Sequence, residues 1–454
     1  MNKRKRNERV EIKSGIVPIT MCLRATLIYS KRLIMSKLFF LFTVLCIASA
    51  DKWAVFISGR EMWQNYCISS TICRGYDLVH DAGFDEDHMI YMGYRNVWDA
   101  EENPFPGQIF TDPSEGPGID YAAGCKNHLD YDDDYVTIDV LKAVFRAYRK
   151  AVTELTGIEN PKVLDTKEDD TIFIYYMDHC SIGMCEIGIE LMHEDELMEL
   201  IDEKYKNKQY KEIVFYFEGC HSGSMFRSLE KGKNVYAFTG ADTEHSSWMC
   251  NCPPYDVVDG KAIGVCLSAY YDNYWLQQVT AHGSDISNND MFKIVHDRVA
   301  EKSDQNVSQF GDIDTIGEKS LKEYIGDYIP KSYPKDTSCS EGTRYEDVSM
   351  HLAKWATIRE GSAKLDNLKK AVEEDALKDI LIMRTARAYY QDDKKADASK
   401  YDRPASYDNS CMKDISMMLI AKCGYSLPFK EEHITVLENI CSNGAVRMNF
   451  ENIC

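Results

Sequence analysis

The stretch KEIVFYFEGCHSGSM, residues 211–225, decides the reading of this chain: an apolar run of strand-forming residues passes straight into a small-residue turn that carries Cys220. A second stretch, TIFIYYMDHCS at 171–181, has the same form and ends in His179. In an open α/β sheet, ligands bind beyond the carboxyl ends of parallel strands. Two such strands side by side set a thiol and an imidazole in one crevice, the two halves of a thiol hydrolase.

Outward from these strands the pattern alternates. WAVFISG (53–59), HMIYMGY (88–94) and NVYAFTG (234–240) read as further strands, with helices expected over 66–82, around 137–151 and around 194–206. The fold class is therefore α/β, a mostly parallel sheet with helices on both faces. Near residue 330 the texture changes in YIPKSYPKDTSCSEG, and beyond it Leu365, Leu368, Val372, Ile380 and Leu381 recur near helical spacing. Further helical patterns at 409–422 and 431–442 make the tail all α.

Of 454 residues, 44% are hydrophobic and 28% charged, enough for a full core and for two or more domains. Residues 35–50, MSKLFFLFTVLCIASA, read as a secretory signal: one lysine, an apolar run too short to anchor in a bilayer, and Ala48-Ser49-Ala50 with cleavage expected after Ala50. The basic residues 1–34 are long for such a leader, so Met35 is an alternative start. Removing residues 1–50 leaves 43 of the 53 Lys and Arg against 71 of the 73 Asp and Glu, a formal charge near −28. That balance argues against nucleic acid as a partner. It also suits an acidic compartment, where carboxylate repulsion is relieved.

Fourteen of the sixteen cysteines follow residue 50, and the last four, Cys411, Cys423, Cys441 and Cys454, crowd the terminal helices. Secretion favours disulfides there over a zinc site, with three pairings open to sequence alone. Asn306-Val307-Ser308 is a glycosylation sequon.

Through WAVFISG, ENPFPG, YMDH, EGCHSGSM, HSSW and QFGD, followed by a helical tail with four late cysteines, the chain resembles the legumains, asparaginyl endopeptidases of the lysosome or vacuole with a caspase-like sheet. The resemblance implies an N-terminal extension and signal at 1–50, a catalytic domain at 51–326, a linker with activation-peptide helices at 327–400 and a disulfide-bonded prodomain at 401–454. It implies pairing of Cys411 with Cys441 and Cys423 with Cys454. Cys220 becomes the nucleophile, His179 the general acid/base, and Asn65, in WQNY, the residue that orients the histidine. The backbone N–H groups of Cys220 and Cys180 become oxyanion donors. Glu218, Ser246 and Ser247 would line the specificity pocket. Neither metal nor cofactor is implied. The partners are protein substrates and the chain's own prodomain, and no membrane anchor remains after signal cleavage.

Departures from the family pattern bear on specificity. Legumains usually follow the asparagine with Tyr-Arg-His, but here Tyr66-Cys67-Ile68 stands, and Val265 occupies the place of a pocket aspartate. A pocket without that cation, histidine and carboxylate is more apolar, which moves the expected preference away from asparagine. Cys180 stands where the family has glycine, which narrows the backbone at an oxyanion donor and offers a disulfide with Cys220. Lys364, Lys369, Lys370 and Arg384 on the tail are expected to grip the acidic core and to let go as its carboxylates protonate. Two other readings remain: a catalytically weak homologue that binds or inhibits, and the catalytic subunit of the glycosylphosphatidylinositol transamidase, which lacks such a tail.

Overall fold

Alternation of side chains along each strand builds two apolar layers from one sheet. The computed structural model describes residues 50–60, 62–95, 97–330, 339–442 and 453–454; the signal expected at 35–50 lies, apart from Ala50, outside them. A seven-stranded sheet is formed by β1 (Lys52–Ser58), β2 (Met89–Gly93), β3 (Tyr131–Asp132), β4 (Thr171–Met177), β5 (Glu212–Glu218), β6 (Val235–Thr239) and β7 (Ser308–Gly311). Their order is β7-β6-β5-β4-β1-β2-β3, all parallel except the edge strand β7.

Phe56, Tyr175, Tyr216 and Phe238 enter one layer, covered by α1 (Tyr66–Asp81) and by two later helices at Tyr270–His282 and Asn288–Ala300. Ile57, Ile174, Phe215 and Phe217 enter the other, under helices at Ile138–Phe145, Arg149–Thr156 and Glu194–Lys206. Strands buried on both faces read as unbroken apolar runs, which is why 211–218 and 171–177 stand out in the sequence. The single helix expected at 137–151 is two. The Val144 carbonyl accepts the Leu164 N–H at 3.0 Å, and Ala147 takes φ +60°, so the helical ladder stops there.

The tail forms helices at Val348–Glu360, Leu365–Tyr390, Asn409–Cys423 and Glu431–Cys441 around an apolar cluster of Ile382, Ile415, Leu419, Phe429 and Leu437. Cys411 pairs with Cys441 and Cys423 with Cys454, the pairing the resemblance implies. The tail is not wholly helical. Thr343–Arg344 is a short strand, antiparallel to Trp248–Cys250, with Arg344 opposite Trp248 and Thr343 opposite Met249. An open strand edge offers unpaired N–H and C=O groups that an extended segment satisfies at once. Four further disulfides brace the catalytic region, Cys73–Cys125, Cys180–Cys185, Cys250–Cys339 and Cys252–Cys266, and leave Cys67 and Cys220 as free thiols.

Candidate active site

Parallel pairing of β4 with β5 brings the two chemical motifs together. Met177 lies opposite Glu218, so His179 and Cys220 each follow two residues beyond the last register pair of adjacent strands. Neighbouring strands are separated by roughly 4.8 Å, which puts both side chains at one sheet edge. Asn65 arrives from the β1–α1 connection, buried, with its Oδ1 3.0 Å from His179 Nε2. A carbonyl oxygen only accepts, so Nε2 carries the proton and Nδ1 is the basic nitrogen. Nδ1 is buried and makes no hydrogen bond.

The turn after Glu218 explains its small residues. Gly219 has φ +155°, and a Cβ there would meet Cys180 Sγ at 2.5 Å. That sulfur is bonded to Cys185, so Cys180 is not a free thiol beside Cys220. The Cys180–Cys220 disulfide offered by the sequence is not the one formed: Cys180 pairs with Cys185 and Cys220 is free. His221 takes the left-handed conformation at φ 55°, turning Cys220 back toward Ser247, whose Oγ lies 3.7 Å from the thiol.

In this state the pair is electrostatically silent. Burial, then the Glu346 carboxylate, pushes the Cys220 thiol up to about 12. Burial, then Arg60 and Lys378, pushes His179 down to about 3. Both groups are thus neutral near neutral pH, and neither is hydrogen-bonded to the other. The cover is Tyr345, whose ring stacks on His179 with centroids 4.4 Å apart and planes at 18°. Tyr345 is 4% exposed. Nothing in the sequence reading marked it, since a tyrosine in a polar linker has no periodic context.

The expected pocket residues fall into place unevenly. Glu218 is buried, and burial followed by repulsion from Asp272 raises its pKa far above the ordinary range, against the lowering by Ser247 and the Gly219 N–H. Asp272, from the helix at 270–282, accepts the Tyr175 hydroxyl at 2.6 Å; sequence reading missed this partner. Cys67 Sγ lies 3.3 Å from Met249 Sδ. Cys67, Ile68 and Val265 share a buried cluster with Met249, Cys220 and Tyr345. The serines face the linker: Ser246 Oγ donates to Glu346 at 2.7 Å, and the Ser247 carbonyl accepts the Tyr345 N–H at 2.9 Å. Asn306 is exposed and donates to Asp242 at 2.8 Å.

Different cations from those expected join tail to core. Lys364, Lys369 and Lys370 pair with Glu360, Asp366 and Glu374 of their own segment, because partners three or four residues away are nearest. Arg384 forms no ion pair among the described residues. The core is reached instead by Arg344 to Asp304, Arg359 to Asp256, Arg403 to Glu244 and Lys413 to Asp195.

Residues 52–327 match the peptidase C13 family. A vacuolar-processing enzyme of Citrus sinensis is 27% identical over 414 residues, covering 87% of this chain and 82% of that protein. Human legumain is 31% identical over 274 residues, covering 60% of this chain and 59% of its own. Among solved structures, caspase-1 from Spodoptera frugiperda aligns at a TM-score of 0.32 with 8% identity, over 63% of this chain and 92% of that one. The chain belongs to the peptidase C13 family and is a cysteine endopeptidase.

Proposed function

We propose that the protein is a legumain-type endopeptidase made as a zymogen, with Cys220 as nucleophile, His179 as acid and base, and Asn65 as the positioning residue. The observation that carries this reading is the Asn65–His179 hydrogen bond, which leaves Nδ1 as the basic nitrogen at the strand end next to Cys220. Once Tyr345 withdraws, Nδ1 takes the thiol proton as Sγ bonds to the peptide carbonyl carbon. The oxyanion is met by the backbone N–H groups of Cys220 and Cys180. Collapse breaks the C–N bond, and the imidazolium returns its proton to the leaving amine. Water then attacks the thioester, giving its proton to Nδ1, and Cys220 leaves reprotonated.

The tail acts as inhibitor, holding Tyr345 over the imidazole through the strand at 343–344 and the ion pairs of Arg344, Arg359, Arg403 and Lys413. The places of work are the secretory pathway and then a lysosome, vacuole or the extracellular space, by likeness to relatives named for the vacuole and by the signal expected at 35–50. No helix among the described residues is long and apolar enough to cross a membrane. Loss of the polar groups at Cys67, Ile68 and Val265 turns the preference away from asparagine. Peptide-library hydrolysis by the activated chain tests the activity, with Cys220→Ala as control; turnover that survives the substitution, or none in either protein, overturns it.

A further inference from the structure

We propose that the strap Thr343-Arg344-Tyr345 is a built-in likeness of the substrate, so that this peptidase cleaves after an aromatic residue preceded by arginine. The inference rests on the peptidase reading above and names its substrate class.

Three observations carry it. The strap binds by backbone in the way a peptide adds to a sheet edge: antiparallel to Trp248–Cys250, with the Tyr345 N–H on the Ser247 carbonyl at 2.9 Å. Ser247 is also the residue whose hydroxyl lies 3.7 Å from the Cys220 thiol, so the strap's register brings Tyr345 level with the nucleophile. The side chain delivered there is an aromatic ring, 4% exposed, stacked on His179 and within the electrostatic reach of Cys67 and Cys220.

Soft and apolar groups lie in the buried cluster that holds the ring, beside the carboxylates of Asp178 and Glu186. Cys67 and Met249 present two soft sulfurs 3.3 Å apart, and Ile68 and Val265 belong to the same buried cluster. Thioethers and thiols favour aromatic contact. The Tyr345 hydroxyl itself is buried with no hydrogen-bond partner, so the ring and not the hydroxyl is what the site accepts. Phenylalanine should therefore serve at least as well as tyrosine.

One residue earlier, Arg344 is held by the catalytic region as a substrate residue would be. Its guanidinium lies 5.8 Å over the Trp248 ring and pairs with Asp304 of the catalytic region, as well as with Glu346 and Glu431 of the tail. Planar stacking with a carboxylate at the edge selects arginine over lysine.

Two arms test the proposal on the full-length chain. In the first, Tyr345→Ala opens the site, and a peptide library reports the residues before each cleaved bond. Cleavage after Phe or Tyr at least tenfold faster than after Asn is expected, with Arg favoured one residue earlier and that second preference lost in a Tyr345→Ala, Asp304→Asn double variant. Cleavage led by Asn, or without preference, overturns the inference and leaves the peptidase intact. No cleavage of any peptide overturns the peptidase reading and the inference with it.

The second arm needs no catalysis. Tyr345→Phe and Tyr345→Asn are compared for the rate at which iodoacetamide alkylates Cys220, located by mass spectrometry. Protection equal to or above wild type in the Phe variant and at least tenfold faster labelling in the Asn variant are expected. Equal protection by Asn overturns the proposal even if peptide turnover is undetectable.

Discussion

Replacing Tyr345 with alanine should wake the buried thiol. Burial, then Glu346, holds Cys220 at about 12, and Tyr345 supplies the ring that lies on the facing imidazole. Readmitted water would bring the thiol toward about 8.5, the value of an unperturbed cysteine. At pH about 7.5 the thiolate fraction would rise from roughly 3 in 100,000 to roughly 1 in 10, a gain of about three thousandfold. The substitution also removes about 3–5 kcal/mol of packing, which weakens docking of the strap. The weakened strap can then exchange off the edge at 248–250, while the ion pairs Arg359–Asp256, Arg403–Glu244 and Lys413–Asp195 keep the rest of the tail attached. The assay is the pH dependence of Cys220 alkylation in both proteins, with thermal melting to establish that each is folded. An inflection that falls by about 3.5 pH units is expected. A folded variant whose labelling rate and inflection match the wild type would refute the assignment of Tyr345 as the cover.

Asn65→Ala removes the acceptor at His179 Nε2 and frees the ring to turn; kcat of the activated enzyme should drop about a hundredfold with KM little changed, and a drop in KM-limited binding alone would argue against a positioning role. Glu346 titrates at about 7 in the docked strap because burial disfavours its charge, against about 4.3 in a free chain. Docking thus takes up a proton and is strongest below about pH 4.3, weakening as pH rises through about 7. This opposes the acid release expected from sequence. Asp195, below its ordinary value because the Lys413 hydrogen bond and charge outweigh burial, contributes docking strength above about pH 3.9 that is lost only in stronger acid. Hydrogen exchange of the 343–347 amides, corrected for intrinsic rate, should be slower at pH 5 than at pH 8, and the reverse order would remove Glu346 from control of the strap. Arg359→Ala leaves the fully buried Asp256 carboxylate without its cation and should cost about 3–5 kcal/mol in denaturant unfolding; an unchanged midpoint would show that this pair does not fasten the tail.

The sheet was legible because its central strands are buried on both faces, and burial writes itself as the unbroken apolar runs at 171–177 and 212–218. His179 and Cys220 were legible for the same reason, as reactive residues directly beyond such runs. What sequence did not disclose depends on pairings between distant segments. The edge strand β7 has only four residues, SQFG, half polar, and exists because β6 offers it a partner. Asp272 meets Glu218 across 54 positions of chain, and no local pattern announces it. Tyr345 lies in a linker whose composition reads as polar and irregular. Its strand forms from the open edge at 248–250, and its burial from a pocket that other segments build.

The strap poses a sharper question: how a segment that binds like a substrate escapes the enzyme that binds it. The chain leaves the extended form at Tyr345, entering a single helical turn over Tyr345–Asp347, so the peptide after the ring bends away from the line a substrate would follow. Glu346 fixes that bend, its carboxylate accepting Ser246 Oγ at 2.7 Å. The turn over 345–347 thus carries the bond between residues 345 and 346 off the line of a bound peptide, and in the docked state the thiol is neutral. Removing the pin should therefore convert inhibitor into substrate. In Glu346→Ala the turn loses its anchor and the carboxylate that raises the Cys220 thiol disappears, which lowers the thiol pKa as well. The full-length variant should cut itself between positions 345 and 346, giving two fragments that these disulfides do not join, since Cys250–Cys339 lies wholly upstream of the cut and Cys411–Cys441 and Cys423–Cys454 wholly downstream. Adding Cys220→Ala should abolish the cut. A Glu346→Ala chain that stays whole under conditions where Tyr345→Ala hydrolyses peptides would mean that the strap never presents its own bond to the thiol.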